Sequence, residues 1–213
     1  MGGRGANSPE RLGAGESGRP NDATEYYVSG GGMWINQYLR GRGDFGELTE
    51  SEKQYLRDLD TATNGAIGQD TLYRSVDARA IFGNSESIDN LFQYLQYGPD
   101  SWGSGEYAKS ISDGVKDMLD KTIGSTITEK GFMSTTKSWD VAAGFQDFTG
   151  AQNPVVMEIK PGSKTRGVDL SGYDANVAEG DEQQEVLLKR DQSYKVNDVS
   201  VRNGQIVIHV EMR

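Results

Sequence analysis

The 213-residue sequence predicts an α+β fold, helices first and an antiparallel sheet last, on three observations. Apolar residues recur at helical spacing in segments between Met33 and Lys121. From Ile127 onward the period shifts toward two, as on strands with one buried face. Near the carboxyl terminus Asn203-Gly204 separates two alternating runs, the signature of a tight hairpin.

Residues 1–22 are rich in Gly, Arg, Pro and Asn with a single Leu, too little apolar surface to offset ordering entropy, so a flexible tail is expected. MWINQYLRG (33–41) is a short amphipathic helix. In LTESEKQYLRDLDTAT, Thr49 followed three residues later by Glu52 is a capping box, and Tyr55, Leu56 and Leu59 share the helix face behind it. Ile88, Leu91, Phe92 and Leu95 define one core-packing helix, and Tyr107, Ile111, Val115, Met118 and Leu119 another. TLYRSVD (71–77) lies between the helical blocks. After them ITEKGFMSTT, PVVMEIK, TRGVDL, QEVLLKR and SYKVNDVSVRNGQIVIHVEMR read as strands. Tyr26-Tyr27, Tyr94 and Tyr97 read as core and interface packing.

Composition narrows the function. A net charge of -10 disfavours generic binding to nucleic-acid backbones or anionic membranes, both of which need a cationic face. The sequence has no cysteine, which removes disulfides, zinc-thiolate sites and cysteine nucleophiles, and with one histidine no histidine metal cluster can form. No apolar stretch approaches the roughly 20 residues that span a bilayer, and the amino terminus lacks a signal-peptide core. The expected location is the cytoplasm. GRGDFG (41–46) matches a dinucleotide-loop pattern but follows a helix where that motif needs a strand, so a plain interhelical loop is expected. His209 reads as an edge or surface strand residue.

Three polar stretches on apolar strands remain: Leu72-Tyr73-Arg74-Ser75, Gly131 to Thr136, and Gln183-Gln184-Glu185 ahead of Val186-Leu187-Leu188. An arginine within an apolar strand suits an anion, and its planar fork suits phosphate. Hydroxyls at Ser134, Thr135 and Thr136 can orient a carboxylate, which Glu185 offers. One fixed carboxylate suits a reaction that passes through a positively charged sugar.

The ordered set Arg74, Ser134-Thr135-Thr136 and Glu185 before Val-Leu-Leu resembles the Arg-Ser-Glu class of mono-ADP-ribosyltransferases, which includes bacterial toxins and phage-encoded enzymes. The likeness runs from Thr71 to the carboxyl terminus. It implies a mixed, mostly antiparallel β core of two packed sheets within a single domain over 23–213, with a helical preamble at 23–70 and the catalytic core at 71–213. It also implies NAD as substrate, with no metal. Arg74 would hold the pyrophosphate and ribose side of NAD, with Tyr73 beside it. Ser134 would hydrogen-bond Glu185, and Thr135 and Thr136 would shape the strand end beneath the nicotinamide. Glu185 would contact the ribose 2′-hydroxyl and stabilise the sugar cation. Phe145, or Phe148, would pack near the nicotinamide.

Where arginine-modifying members carry a glutamate, this sequence has Gln183, a neutral amide that neither acts as a base nor pairs strongly with a cation. Gln-x-Glu is similar to clostridial exoenzymes that modify an asparagine of Rho-type GTPases. The acidic stretch 171–183, with Tyr173, Glu182 and Gln183, would then meet a macromolecular acceptor, most simply a protein. The resemblance implies a monomer acting in the cytoplasm of the producer or of an intoxicated host, or associated with a virion. NAD hydrolysis alone, or a degenerate binding or structural role, are the alternatives.

Overall fold

The structure, a computed structural model, describes residues 20–42, 45–83, 88–145, 153–171 and 184–213, without the side chains of 20–22, 29 and 30. The chain begins with helix α1 (Pro20–Tyr26), which passes through a π-helical turn (Tyr27–Gly31) into α2 (Gly32–Leu39), and α3 (Glu50–Ala62) follows. Then come strand β1 (Leu72–Asp77), the short α4 (Arg79–Phe82), α5 (Ile88–Tyr97) and α6 (Glu106–Thr122). Strands β2 (Thr126–Glu129) and β3 (Met133–Thr136) precede α7 (Trp139–Gly144). The chain closes with β4 (Pro154–Lys160), β5 (Gly167–Asp169), β6 (Glu185–Leu188), β7 (Gln192–Arg202) and β8 (Gln205–Met212). Helices thus dominate the first half and strands the second, as the change of period predicts. Among the described residues eight strands form a mixed sheet.

The chain divides into two compact units. The first holds Met1–Ile67, Glu129–Ser134 and Thr165–Gln192, and the second Gly68–Thr128, Thr135–Lys164 and Ser193–Arg213. In the first unit α1 starts at Pro20, so the last three residues of the expected tail belong to a helix. A proline there loses nothing, because the first helical N–H has no intrahelical partner. The capping box of α3 forms as predicted: Glu52 N–H donates to the Thr49 hydroxyl, and Thr49 N–H donates to the Glu52 carboxylate at 2.8 Å. Trp34 and Ile35 of α2, Tyr55 and Leu59 of α3, Phe132, Leu170 and Leu187 pack into one core. Strands β5 and β6 pair antiparallel over Gly167↔Leu188 to Asp169↔Val186, and the Met133–Ser134 end of β3 is the other neighbour of β6.

In the second unit the strand order is β2-β7-β8-β4-β1, followed by the Thr136 end of β3, which faces Tyr73. β1–β4 and β7–β8 are antiparallel, while β4–β8 is parallel. β4 sits between two strands and reads as near-continuous apolar sequence because both its faces are covered: Val155, Val156, Met157 and Ile159 are all 2% exposed or less. The β7–β8 hairpin turns on Asn203 (φ 52°) and Gly204 (φ 77°), the paired left-handed residues that a two-residue turn requires.

Two expectations are corrected here. Tyr107, assigned to the apolar face of α6, is 81% exposed. The buried residues of that helix are Ala108, Val115, Leu119 and Thr122, and Tyr107, one residue from Ala108, is turned about 100° off that stripe. Tyr97 is likewise exposed, at the last residue of α5. Among the described residues no helix is long and apolar enough to cross a membrane.

Candidate active site

Within the first unit the structure brings together two residues that the sequence places 51 apart: the Ser134 hydroxyl donates to Glu185 Oε1 at 2.5 Å. Strand alternation explains why both can be polar. Met133 points into the core and Ser134 out of it, while Glu185 opens β6 just ahead of the buried Val186, Leu187 and Leu188. Burying these three residues anchors the carboxylate at the rim of the core. Gln184, immediately before it, has φ 44°, a left-handed conformation uncommon for a residue with a side chain. Regular strand geometry therefore begins at Glu185.

Beneath Ser134 the chain is clamped by α2 and the π-helical turn. Asn36, 8% exposed, accepts from the Phe132 backbone N–H at 2.8 Å and donates to the Tyr27 hydroxyl at 2.7 Å. One turn on, Arg40 donates to Glu129 Oε1 at 2.9 Å, and the same oxygen accepts from the Gly131 N–H at 2.8 Å. Gly131 is required by this closeness: a Cβ there would lie 2.6 Å from Asn36 Oδ1. The segment carrying Ser134 is thus fixed by Asn36 of α2 and by Arg40, the residue that caps it, and the serine hydroxyl in turn holds Glu185. Sequence reasoning missed this support. Its signal was a polar residue, Asn36, beside Trp34 and Ile35 on the buried face of MWINQYLRG, where burial demands a partner.

The other expected site residues lie in the second unit or outside the described residues. Arg74 is half-buried on β1, opposite Met157 of β4. Tyr73 faces the other side of that strand by alternation, and its ring meets Trp139 edge-on at 5.7 Å. Thr135 and Thr136 are buried, and the Thr136 hydroxyl accepts from Ser138 N–H at 3.0 Å, turning the chain into α7. Phe145 ends α7 and is 41% exposed, so its ring is not core filler. Gln183, Glu182, Tyr173 and Phe148 lie outside the described residues. His209 is not on an edge: β8 runs between β7 and β4, and the imidazole is hydrogen-bonded on both nitrogens. Among the described residues no cluster of three or more His, Asp or Glu is placed to hold a metal ion.

A carboxylate fixed by a short bond on a rigid strand can stabilise positive charge at a sugar carbon without reorganising as the charge develops. Comparison with known proteins points to the same chemistry. The family model for ADP-ribosyltransferase exoenzymes matches residues 12–212. Among solved structures, the ADP-ribosylating toxin component of a binary enterotoxin of C. perfringens, with NADH, superposes with a TM-score of 0.64 at 15% identity, over 93% of this chain and 44% of that one. The present chain therefore spans under half the length of that toxin component. An ADP-ribosyltransferase from Clostridium botulinum matches at 0.58 and 23% identity over 92% of this chain and 87% of that one. The C3 exoenzyme of Clostridium limosum matches at 0.58 and 19% over 91% and 84%. No curated protein matches the sequence.

Proposed function

Because the chain belongs to the ADP-ribosyltransferase exoenzyme family, we propose that it transfers ADP-ribose from NAD to a protein acceptor, with Glu185 as the catalytic carboxylate. The observation that carries this reading is the 2.5 Å bond from Ser134 to Glu185 on strands whose apolar residues are locked in the core. Nicotinamide leaves with the bonding electrons of its glycosidic bond, and the ribose carbon becomes cationic. The Glu185 carboxylate faces that charge, and Ser134 keeps one oxygen fixed so that the other can engage the ribose hydroxyl. Arg74 supplies the guanidinium for the pyrophosphate. Thr135, Thr136 and Phe145 shape the nicotinamide side. Tyr73 lies beside Arg74 on the same strand and completes the cofactor-binding set. Residues 23–213 serve as one catalytic domain.

Gln183 favours an acceptor other than a guanidinium, since a neutral amide cannot pair with arginine as a carboxylate does. An amide side chain on a protein surface, met by the acidic stretch around Tyr173 and Glu182, fits better. Labelled NAD incubated with bacterial and eukaryotic lysates tests the reading. The wild type is expected to label a protease-sensitive band, and Glu185→Gln is expected to lose both transfer and NAD cleavage by at least about 100-fold while its thermal midpoint holds. Full activity in that variant would remove Glu185 from the mechanism. Rapid NAD loss with no labelled acceptor would make hydrolysis the principal reaction.

A further inference from the structure

We propose that Ser200, His209 and Glu158 form a second, nucleophilic site that accepts acyl groups from small carboxylic esters, independent of NAD. The three side chains come from three adjacent strands of the second unit, β7, β8 and β4. Ser200 Oγ lies 2.7 Å from His209 Nε2, and His209 Nδ1 lies 2.9 Å from Glu158 Oε1. An ionised carboxylate only accepts, so Nδ1 carries the proton and Nε2 presents its lone pair to the serine O–H. That is the order of an activated hydroxyl: nucleophile, base, and a third group that orients the base.

Pairing fixes the arrangement. His209 and Glu158 are direct partners in the parallel ladder, and Ser200, opposite Val207, is the diagonal neighbour of His209. The two-residue turn at Asn203-Gly204, with Arg202 paired to Gln205, sets this register, which runs unbroken to Asp198 opposite His209. Arg202 shares the face of Ser200, two residues on. Its guanidinium stacks on Trp139 at 4.2 Å from the ring centroid and lies 3.4 Å from Glu158 Oε2. A cation on the nucleophile's face of the sheet suits the charge of a tetrahedral oxyanion. The imidazole side chain is 32% exposed and that of Arg202 47%, so small molecules in solution reach the site.

In the first step Ser200 Oγ bonds to the ester carbonyl carbon and its proton passes to His209 Nε2. The C–O bond to the leaving group then breaks, and the alkoxide takes that proton. Water, deprotonated by the same nitrogen, releases the acid and restores the serine. An alkyl fluorophosphonate captures the first half: an Oγ–P bond forms, the P–F bond breaks, and the proton goes to His209.

The test is fluorophosphonate labelling followed by peptide mass mapping, with para-nitrophenyl acetate hydrolysis alongside. We expect one label per chain, on Ser200, and a labelling rate at least about 100-fold lower in Ser200→Ala and His209→Gln, both checked for an unchanged circular dichroism melt. Mapping in the wild type needs no variant to fold. Glu185→Gln should label at the wild-type rate, which separates this site from the NAD site. No label, a label on another residue, an undiminished rate in His209→Gln, or loss of label in Glu185→Gln would each overturn the proposal.

Discussion

Ser134 has one proton to give, and giving it to Glu185 decides which carboxylate oxygen turns to substrate. Ser134→Ala removes a charge-assisted bond worth about 1.5–3 kcal/mol, so kcat for NAD cleavage should fall roughly 10- to 100-fold with little change in KM. Because Ser134 is exposed, the thermal midpoint should stay put; a midpoint that falls with kcat would show a structural role instead. Tyr55 behaves differently. Burial, then the neighbouring hydroxyls of Tyr27 and Tyr26, push its phenol well above the ordinary value of 10.0. Below that value both folded and unfolded chains keep the proton. Above it only the unfolded chain ionises, so stability drains away as pH rises, by up to about 1.4 kcal/mol per pH unit from this group. Urea midpoints measured at about pH 9 and about pH 11 should therefore converge in Tyr55→Phe, and an equal alkaline loss in both proteins would refute the assignment. Residue identity alone made the Ser134–Glu185 pairing legible, because ionic and hydroxyl groups on apolar strands have few structural uses. Asn36 and His209 were not legible, since their partners lie on elements remote in sequence.

Helix α2 bears on Ser134 through the backbone of Phe132. Asn36→Ala would leave the Phe132 N–H buried with its acceptor removed, a loss of about 1–3 kcal/mol by denaturant titration, and should also lower kcat by loosening the segment that carries Ser134. A stability loss with unchanged kcat would confine Asn36 to folding. The elements themselves were largely readable. The α3 cap follows from Thr49 and Glu52, and the final hairpin from Asn203-Gly204, because each is a local bargain between a side chain and its nearest backbone. What the sequence hides is pairing between distant elements. Nothing local announces that β4 lies parallel to β8, or that Asn197 is an extra residue between the paired Val196 and Asp198, since apolar alternation specifies a face and not a partner.

At the scale of the molecule, the two units are threaded through one another in sequence. The first is built from three separate stretches and so is the second. Neither is a contiguous piece, so residues 1–67 made alone should stay unfolded by circular dichroism, lacking Phe132, Leu170 and Leu187 of their core. A folded, cooperatively melting fragment would contradict this. The same threading has a consequence for the cell that makes the protein. The Asn36–Phe132 clamp spans 96 residues, and Ser134 lies 51 residues before Glu185, so the Ser134–Glu185 pair cannot form until the ribosome has passed Glu185. Chains that stall or are clipped before Glu185 lack the proposed catalytic carboxylate and should not cleave NAD.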